Sequence, residues 1–311
     1  MCGIAGLIYR DANGAQRLGE DLTRMLQSMR HRGPDSTGYA LYRAPTQELI
    51  MRVKLADGPA DGDIDLADAL RRRRAGVQAR VRTAGAQIAA VEDVNQYTVA
   101  LTLGYEGELK RLADLAESIP GVEVLSVGHA LEIVKDLGDA RTVAAAYGLD
   151  GYRGSHGIGH ARMATESDVD ISNAHPYWAY PFSDVAVVHN GQLTNYHQWR
   201  RRLERLGHRF ASDCDSEIIA VYLAQRMREG DSLEQAMRRS LQELDGVFTY
   251  ICVTEDALGM AKDELAAKPL VLYEGGELVA LASEEIAIRA VVDREIETYD
   301  PYESEVMVWK R

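Results

Sequence analysis

The second residue, Cys2, carries a thiol, and removal of Met1 would leave a free α-amine on the same residue. An α-amine has a pKa of roughly 7.7–8.0, so part of it is unprotonated near neutral pH and can take the thiol proton, directly or through one water. Cys2 would then hold both a nucleophile and its general base, like an N-terminal threonine paired with its own amine. The alternative is an early cysteine without chemical function, and position alone favours neither.

Four further residues could serve a thiol that cleaves an amide. Asn190 and Gly191 follow a buried-type strand and could donate hydrogen bonds to a developing oxyanion. Arg162 follows another strand and could hold a carboxylate with two hydrogen bonds, while Asp215, at a helix start, could accept from an ammonium. Together, Arg162 and Asp215 would recognise the backbone of an amino acid. Arg162 could instead form a structural ion pair, and Asp215 could only cap its helix, a role that we expect of Asp213.

Regular elements must bring these residues together. Residues 2–9 and 185–188 predict buried strands, and residues 39–43 and 48–54 predict a hairpin. The segments with helical spacing of apolar residues are 21–29, 195–206, 218–229 and 232–244. After residue 246, the pattern predicts antiparallel strands. Antiparallel strands between helix pairs predict an α+β fold with helices packed outside stacked sheets.

The composition and residue patterning of the sequence change from about residue 56 to residue 150. A linker-like stretch rich in Gly, Asp and Pro comes first, at 57–63. The helices predicted in this part are 64–83, 107–118 and 129–149, and the strands are 97–104 and 122–127. We therefore expect a small α/β module at 56–150, inserted into one domain that spans 1–311.

Composition excludes several classes of protein. The net charge of −13 repels phosphate backbones, so no nucleic-acid partner is expected. The basic run Arg71–Arg74 is interpreted as a solvated helix face or a docking patch. The three cysteines have no CxxC spacing, which argues against a zinc site and against a disulfide framework. No signal peptide and no apolar run long enough for a membrane span is found. We expect a cytoplasmic protein that does not contact a membrane, where the thiol stays reduced.

Five short motifs occur in a fixed order. They are Cys2-Gly3-Ile4-x-Gly6, His31-Arg32-Gly33-Pro34-Asp35, Gly159-His160-x-Arg162-x-Ala164-Thr165, His189-Asn190-Gly191 and Asp213-x-Asp215-Ser216-Glu217. This order resembles class II glutamine amidotransferases, which are N-terminal-nucleophile hydrolases. They include the glutaminase parts of glutamate synthase, amidophosphoribosyltransferase, glucosamine-6-phosphate synthase and asparagine synthetase. The resemblance covers about residues 1–55 and 150–290, and Lys268-Pro269-Leu270 with Ala282-Ser283-Glu284 resembles the end of that domain.

The resemblance implies a four-layer αββα sandwich and a set of catalytic roles. Cys2 would be the nucleophile and its amine the base. The side chain of Asn190 and the backbone N–H of Gly191 would form the oxyanion hole.

The resemblance also implies how glutamine is held. Arg162 would bind its α-carboxylate, with Thr165 nearby, and Asp215 would bind its α-ammonium. The loop that contains His31 and Arg32 would close over the substrate.

The remaining reactive side chains are assigned structural roles. We interpret Cys214 as a packing residue and Cys252, in an apolar strand, as part of the core. His175 and His189 are interpreted as structural or loop-ordering, because the terminal amine makes a Cys–His dyad unnecessary. Glu166 departs from the family pattern, since some relatives have a histidine there beside the substrate.

The resemblance also predicts a partner. Outside the insertion, the chain has only the length of a glutaminase domain, and no Gly-rich phosphate loop follows Ser283. We expect a glutaminase subunit, without cofactor or metal, that acts on L-glutamine through a Cys2 thioester. It would belong to an oligomer and pass ammonia to a separate synthase subunit like those of glutamate synthase or N-methylglutamate synthase. The alternatives are a free-standing amide hydrolase of the same fold and a non-catalytic regulatory homologue.

Overall fold

The computed structural model describes residues 2–10, 16–58, 64–163, 171 and 173–311. The strands within them are β1 (Gly3–Tyr9), β2 (Ser36–Tyr42), β3 (Leu49–Lys54), β4 (Gln87–Asp93), β5 (Thr98–Gly104), β6 (Glu123–Gly128), β7 (Leu131–Leu137), β8 (His156–Arg162), β9 (Tyr177–Trp178), β10 (Ala186–Leu193), β11 (Gly246–Val253), β12 (Ala257–Lys262), β13 (Val271–Glu274), β14 (Leu278–Ala282) and β15 (Val306–Lys310). The α-helices are α1 (Leu18–Ser28), α2 (Ile64–Ala84), α3 (Leu109–Glu117), α4 (Ala140–Ala146), α5 (Tyr196–Arg205), α6 (Asp215–Arg228), α7 (Leu233–Glu243) and α8 (Glu285–Arg289). Short 3-10 helices occupy Arg30–Arg32 and Leu149–Gly151.

Two antiparallel sheets form the centre of the fold. The first has six strands in the order β13-β14-β1-β8-β2-β7, and the second has five in the order β15-β12-β11-β10-β9. Between them lies a buried apolar layer that includes Ile4, Ile158, Val188 and Ile251. β1 is apolar along its whole length because both of its faces are buried.

Helices cover the outer face of each sheet. One cluster packs α1, α4 and α8 on the first sheet, with fully buried Leu22 of α1 among its members. Another packs α5, α6 and α7 on the second sheet around residues such as Tyr222 of α6. A capping box between Ser232 and Gln235 fixes the start of α7. The predicted four-layer αββα sandwich is therefore confirmed.

A third sheet stands beside the sandwich, with the strand order β4-β5-β3-β6. Its strands are all antiparallel to their neighbours and alternate with two helices in the chain order β3-α2-β4-β5-α3-β6. This is the ferredoxin-like βαββαβ arrangement. We call the segment from Leu49 to Gly128 the βαββαβ module. The division of the chain into a domain with an insertion at 56–150 remains a prediction.

Two predictions of local structure were wrong. The strands at 39–43 and 48–54 do not form a hairpin, because β2 pairs with β7 and β8 while β3 pairs with β5 and β6. Residues 129–149 are not one helix, since β7 comes before α4. The charged residues of β7 resemble an exposed helical face in sequence. In the structure these residues are buried, and Glu132 and Lys135 form ion pairs. Arg52 Nε lies 2.9 Å from Glu132 Oε2, and Lys135 Nζ lies 3.1 Å from Glu123 Oε1.

Among the helices that the structure describes, none is both long and apolar enough to cross a membrane.

Candidate active site

Cys2 lies directly before β1, the strand that runs between β14 and β8 in the first sheet. Because Gly3 is paired with Ala161, the thiol is placed next to the end of β8. The backbone N–H of Met163 donates to Cys2 Sγ at 3.4 Å. The nucleophile predicted from the sequence is thus half-buried beside Arg162, the last residue of β8.

Asn190, on β10 of the second sheet, contacts the backbone of Cys2. Its Nδ2 donates to the carbonyl oxygen of Cys2 at 3.0 Å and to Ser283 Oγ at 3.3 Å. Ser283 Oγ also accepts from the backbone N–H of Ile4 at 3.0 Å. The amide of Asn190 therefore lies against the backbone of the nucleophile, with both of its N–H groups engaged. It must release one of them to donate to an oxyanion.

Gly191 follows Asn190 on β10 and has φ of +143°, which favours glycine. A Cβ built on Gly191 would lie 2.2 Å from the carbonyl oxygen of Val247 and 2.6 Å from the Cα of Phe248. The ladder between β10 and β11 therefore has no room for a side chain here, and the backbone of Gly191 stays open on its cleft side.

A cleft of about 1160 Å³ brings three of the predicted residues together, because Arg162, Gly191 and Asp215 all line it. Arg162 enters it from the end of β8 and is buried. Asp215 is the first residue of α6, where the helix dipole favours a carboxylate, and its Oδ2 accepts from the N–H of Leu193 at 2.7 Å. A cationic group and an anionic group thus share one cleft, as recognition of an amino acid backbone requires.

Behind Asp215, two buried histidines meet at the hydroxyl of Ser216. His175 Nε2 lies 2.6 Å and His189 Nδ1 2.7 Å from Ser216 Oγ. Burial lowers the pKa of His175 far below its usual value, and it also lowers the pKa of His189, which Asp215 opposes. Both imidazoles are therefore neutral near pH 7. Although His189 Nδ1 lies 3.8 Å from Asp215 Oδ1, it does not neutralise that carboxylate, which remains available to an ammonium.

Two predicted residues of the covering loop, His31 and Arg32, are held together by Glu284. His31 Nε2 lies 3.1 Å from Glu284 Oε2, and Arg32 Nε forms an ion pair with Glu284 Oε1. Glu284 directly follows Ser283, so the loop is attached next to the residue that contacts Asn190. Neither His31 nor Arg32 lines the described cleft. Their contact with substrate remains a prediction, and Thr165 and Glu166 lie outside the described residues.

The structure also shows the surroundings of Cys214, Cys252 and Asp213, to which the sequence assigned structural roles. Cys252 is fully buried in the core, as expected. Cys214 packs against the core between the second sheet and its helices, as expected, but it also lines the cleft, where its Sγ lies 3.4 Å from Ser216 Oγ. Burial raises the pKa of the Cys214 thiol, so it is a poor source of thiolate. The prediction that Asp213 caps α6 was wrong: Cys214 occupies that position without a side-chain cap, and Asp213 forms an ion pair with Arg200 at 2.9 Å.

Sequence reasoning gave no role to Ser216 or Ser283, although both belong to the quoted motifs. Both hydroxyls are buried, and each joins elements that are distant in the chain. Their place within two quoted motifs was the available signal. A serine hydroxyl can bond almost any polar neighbour, so its partners could not be inferred from sequence.

The fold is similar to that of a solved glutamine phosphoribosylpyrophosphate amidotransferase from B. subtilis, which is complexed with ADP and GMP. The TM-score is 0.61 at 18% identity, and the match covers 99% of this chain and 47% of that one. The likeness defines the class of the fold, which is that of the N-terminal-nucleophile hydrolases.

Comparison with related sequences defines the family of the chain, which the likeness of the fold alone does not. The family model of the glutamine amidotransferase domain matches residues 160–290. A Methanothermobacter thermautotrophicus protein named as a glutamine amidotransferase is 39% identical over 312 residues, which cover 98% of this chain and 99% of the relative. The glutamine amidotransferase-like protein GlxB of Rhizobium meliloti is 37% identical over 311 residues, 99% of this chain and 98% of the relative. The chain therefore belongs to the glutamine amidotransferase family, as a class II enzyme.

Proposed function

We propose that the chain hydrolyses the side-chain amide of L-glutamine to glutamate and ammonia through a thioester on Cys2. The observation that carries this proposal is the meeting of Cys2 and Asn190 from two different sheets beside the cleft that Arg162 and Asp215 line. The guanidinium of Arg162 is suited to the α-carboxylate and Asp215 to the α-ammonium. With both backbone charges held, the side-chain amide of glutamine is directed toward Cys2.

In the first half of the reaction, Cys2 Sγ forms a bond to the amide carbon of glutamine while the thiol proton passes to the α-amine of Cys2. The side chain of Asn190, turned from its present acceptors, and the N–H of Gly191 stabilise the oxyanion. The amine then gives its proton to the departing nitrogen, which leaves as ammonia. In the second half, water attacks the thioester, glutamate leaves, and Cys2 regains its thiol.

A glutamine analogue with a diazoketone in place of the side-chain amide tests this assignment. The nucleophile displaces dinitrogen from the protonated analogue and forms a stable thioether, which peptide mass spectrometry locates. We expect the adduct on Cys2, and an excess of glutamine should suppress it. An adduct on Cys214, which also lines the cleft, or no adduct on a chain that lacks Met1, would contradict the proposal.

The ammonia acceptor is proposed to be a synthase subunit on another chain, of the glutamate-synthase type. The two relatives matched over nearly their whole length have the same extent as this chain, and the residues described here form the sandwich and the βαββαβ module. Affinity purification of the chain from its native cells should recover a synthase-like partner. Recovery of the chain without one, under conditions that preserve its glutaminase activity, would contradict the proposal.

A further inference from the structure

The connection between α5 and α6 forms one wall of the cleft and leads directly into Asp215. We call residues 209–214 the cleft-wall segment. On one side it is fixed by Glu217 of α6, whose Oε1 accepts from the N–H of Ala211 at 2.8 Å and whose Oε2 accepts from the N–H of Ser212 at 2.9 Å. The position of this segment therefore determines the entry to α6, where Asp215 faces the cleft.

On its other side, the cleft-wall segment is attached to the βαββαβ module by Arg209. Its Nε donates to Asp114 Oδ1 of α3 at 2.6 Å, and its second amino group forms an ion pair with Glu117 of the same helix. The guanidinium carbon also lies 4.0 Å from the ring centre of Tyr180, whose hydroxyl bonds to Asp114. One arginine thus joins α3 to Tyr180, which lies in the turn after β9, and to the wall of the cleft.

These contacts differ from an ordinary surface ion pair. Exposed pairs contribute little to stability because water screens them and two long side chains must be ordered. Here two carboxylates share one planar guanidinium, the side chain of Glu117 is only 14% exposed, and an aromatic ring covers one face. Because the side chains of Arg209 and Asp114 are 36% and 35% exposed, the attachment is only partly buried, and it holds the segment through two carboxylates and an aromatic ring.

We propose that Arg209 is a positioning residue for glutamine, through which the βαββαβ module sets the cleft-wall segment and hence Asp215. The inference rests on the proposed function of Asp215 in binding the α-ammonium. It gives the module a role in the reaction without any contact to the substrate. A partner or ligand that displaces α3 would change the affinity for glutamine through this arginine.

The test replaces Arg209 by Gln and, as a matched control, Arg226 by Gln. Arg226 also bonds two carboxylates, Glu229 and Glu243, beside a tyrosine ring, but these partners lie at the end of α6 and on α7 and not on the module. Two quantities are measured on the full chain: KM and kcat for glutamate release, and hydrogen exchange of the Ala211 and Ser212 amides.

For Arg209→Gln we expect KM for glutamine to rise about fivefold with kcat within twofold, and the two amides to exchange about fivefold faster. These values correspond to the loss of a partly buried charged contact. Arg209→Lys, which keeps the charge without the planar fork, should restore part of both effects. Arg226→Gln should leave both at the wild-type values.

The same coupling should be visible from the module. Asp114→Asn combined with Glu117→Gln should raise KM like Arg209→Gln, and adding Arg209→Gln to that pair should raise it little further, because all three changes remove one interaction. Independent, multiplying effects would overturn the proposal.

The outcomes separate this inference from the proposed function. If Arg209→Gln resembles Arg226→Gln in both KM and exchange, the positioning role is refuted while glutaminase activity stands. If the wild-type chain releases no glutamate, the proposed function fails, and exchange of the Ala211 and Ser212 amides alone decides whether Arg209 fixes the segment.

Discussion

Replacing Gly191 by alanine tests whether the backbone of β10 contributes an oxyanion donor. The added Cβ would lie 2.2 Å from the carbonyl oxygen of Val247, whereas real Cβ atoms essentially never come closer than 3.0 Å, so the two strands must separate by about 0.8 Å. The residue would also keep φ near +143°, which costs on the order of 1–3 kcal/mol outside glycine. Both the clash and the unfavourable φ would displace the peptide group that carries the N–H of residue 191, the proposed oxyanion donor.

The expected result follows from this displacement. A misplacement of about 1 Å costs on the order of 10²-fold in rate, and loss of one oxyanion donor costs about 10²–10³-fold. We therefore expect kcat for glutamate release to fall about 10²-fold, which corresponds to about 3 kcal/mol of transition-state stabilisation. KM should change little, because Arg162 and Asp215, which we propose to bind the substrate, lie on other elements.

Gly154→Ala is the matched control for lost stability. Its Cβ would lie 2.4 Å from the carbonyl oxygen of Tyr42, a comparable clash, but Gly154 precedes β8 at the end opposite Arg162. Urea unfolding of both variants gives their stabilities, and stopped assays with saturating glutamine give kcat. If Gly191→Ala keeps more than a third of the wild-type kcat while folded, the backbone of Gly191 is not an oxyanion donor.

Three further predictions concern the ammonium site, the second thiol and acid stability. A charged hydrogen bond contributes about 1.5–3 kcal/mol, so Asp215→Asn should raise KM for glutamine about 13- to 160-fold with a smaller effect on kcat. An unchanged KM in Michaelis curves would remove Asp215 from substrate recognition. Cys214→Ser should keep glutamate release within twofold, since burial raises the pKa of that thiol; a loss above tenfold would show that Cys214 takes part in the reaction. Burial lowers the pKa of His156 to about 4 and of His160 to about 3, so the unfolded chain binds these protons first as the pH falls below about 6.5. The stability that depends on their neutral form is complete above pH 6.5 and is lost as the pH falls toward the folded-state values. At pH 5 each histidine should therefore lower the free energy of unfolding by about 2 kcal/mol relative to neutral pH. Equal urea midpoints at pH 7.5 and pH 5 would contradict this.

The sandwich could be predicted from sequence because its determinants are local or lie in motifs. The strand after Cys2 is an uninterrupted apolar run, and the apolar spacing of α1 and α7 is that of helices with one buried face. Among the site residues, Cys2 directly precedes β1, and Arg162 and Asp215 are terminal residues of β8 and α6. Asn190 lies near the end of β10. The structure brings them to one place because neighbouring strand ends meet at the same edge of two stacked sheets.

What sequence reasoning missed depends on contacts between distant parts of the chain. β7 carries charged residues that are buried only because Arg52 and Glu123 reach them from the βαββαβ module. The pairing of β3 with β5 rather than with its neighbour β2 is likewise a property of the whole module. Ser216 and Ser283 acquire their roles from the histidines and the asparagine that fold against them.

Glutamate release from L-glutamine, measured on the wild-type chain and on Cys2→Ala, decides whether Cys2 is the nucleophile of a glutaminase. Mass spectrometry should first show that Met1 is absent, because a retained Met1 would block the α-amine. We expect steady release by the wild-type chain and none above background in a folded Cys2→Ala variant. Release that persists in the variant would contradict Cys2 as the nucleophile.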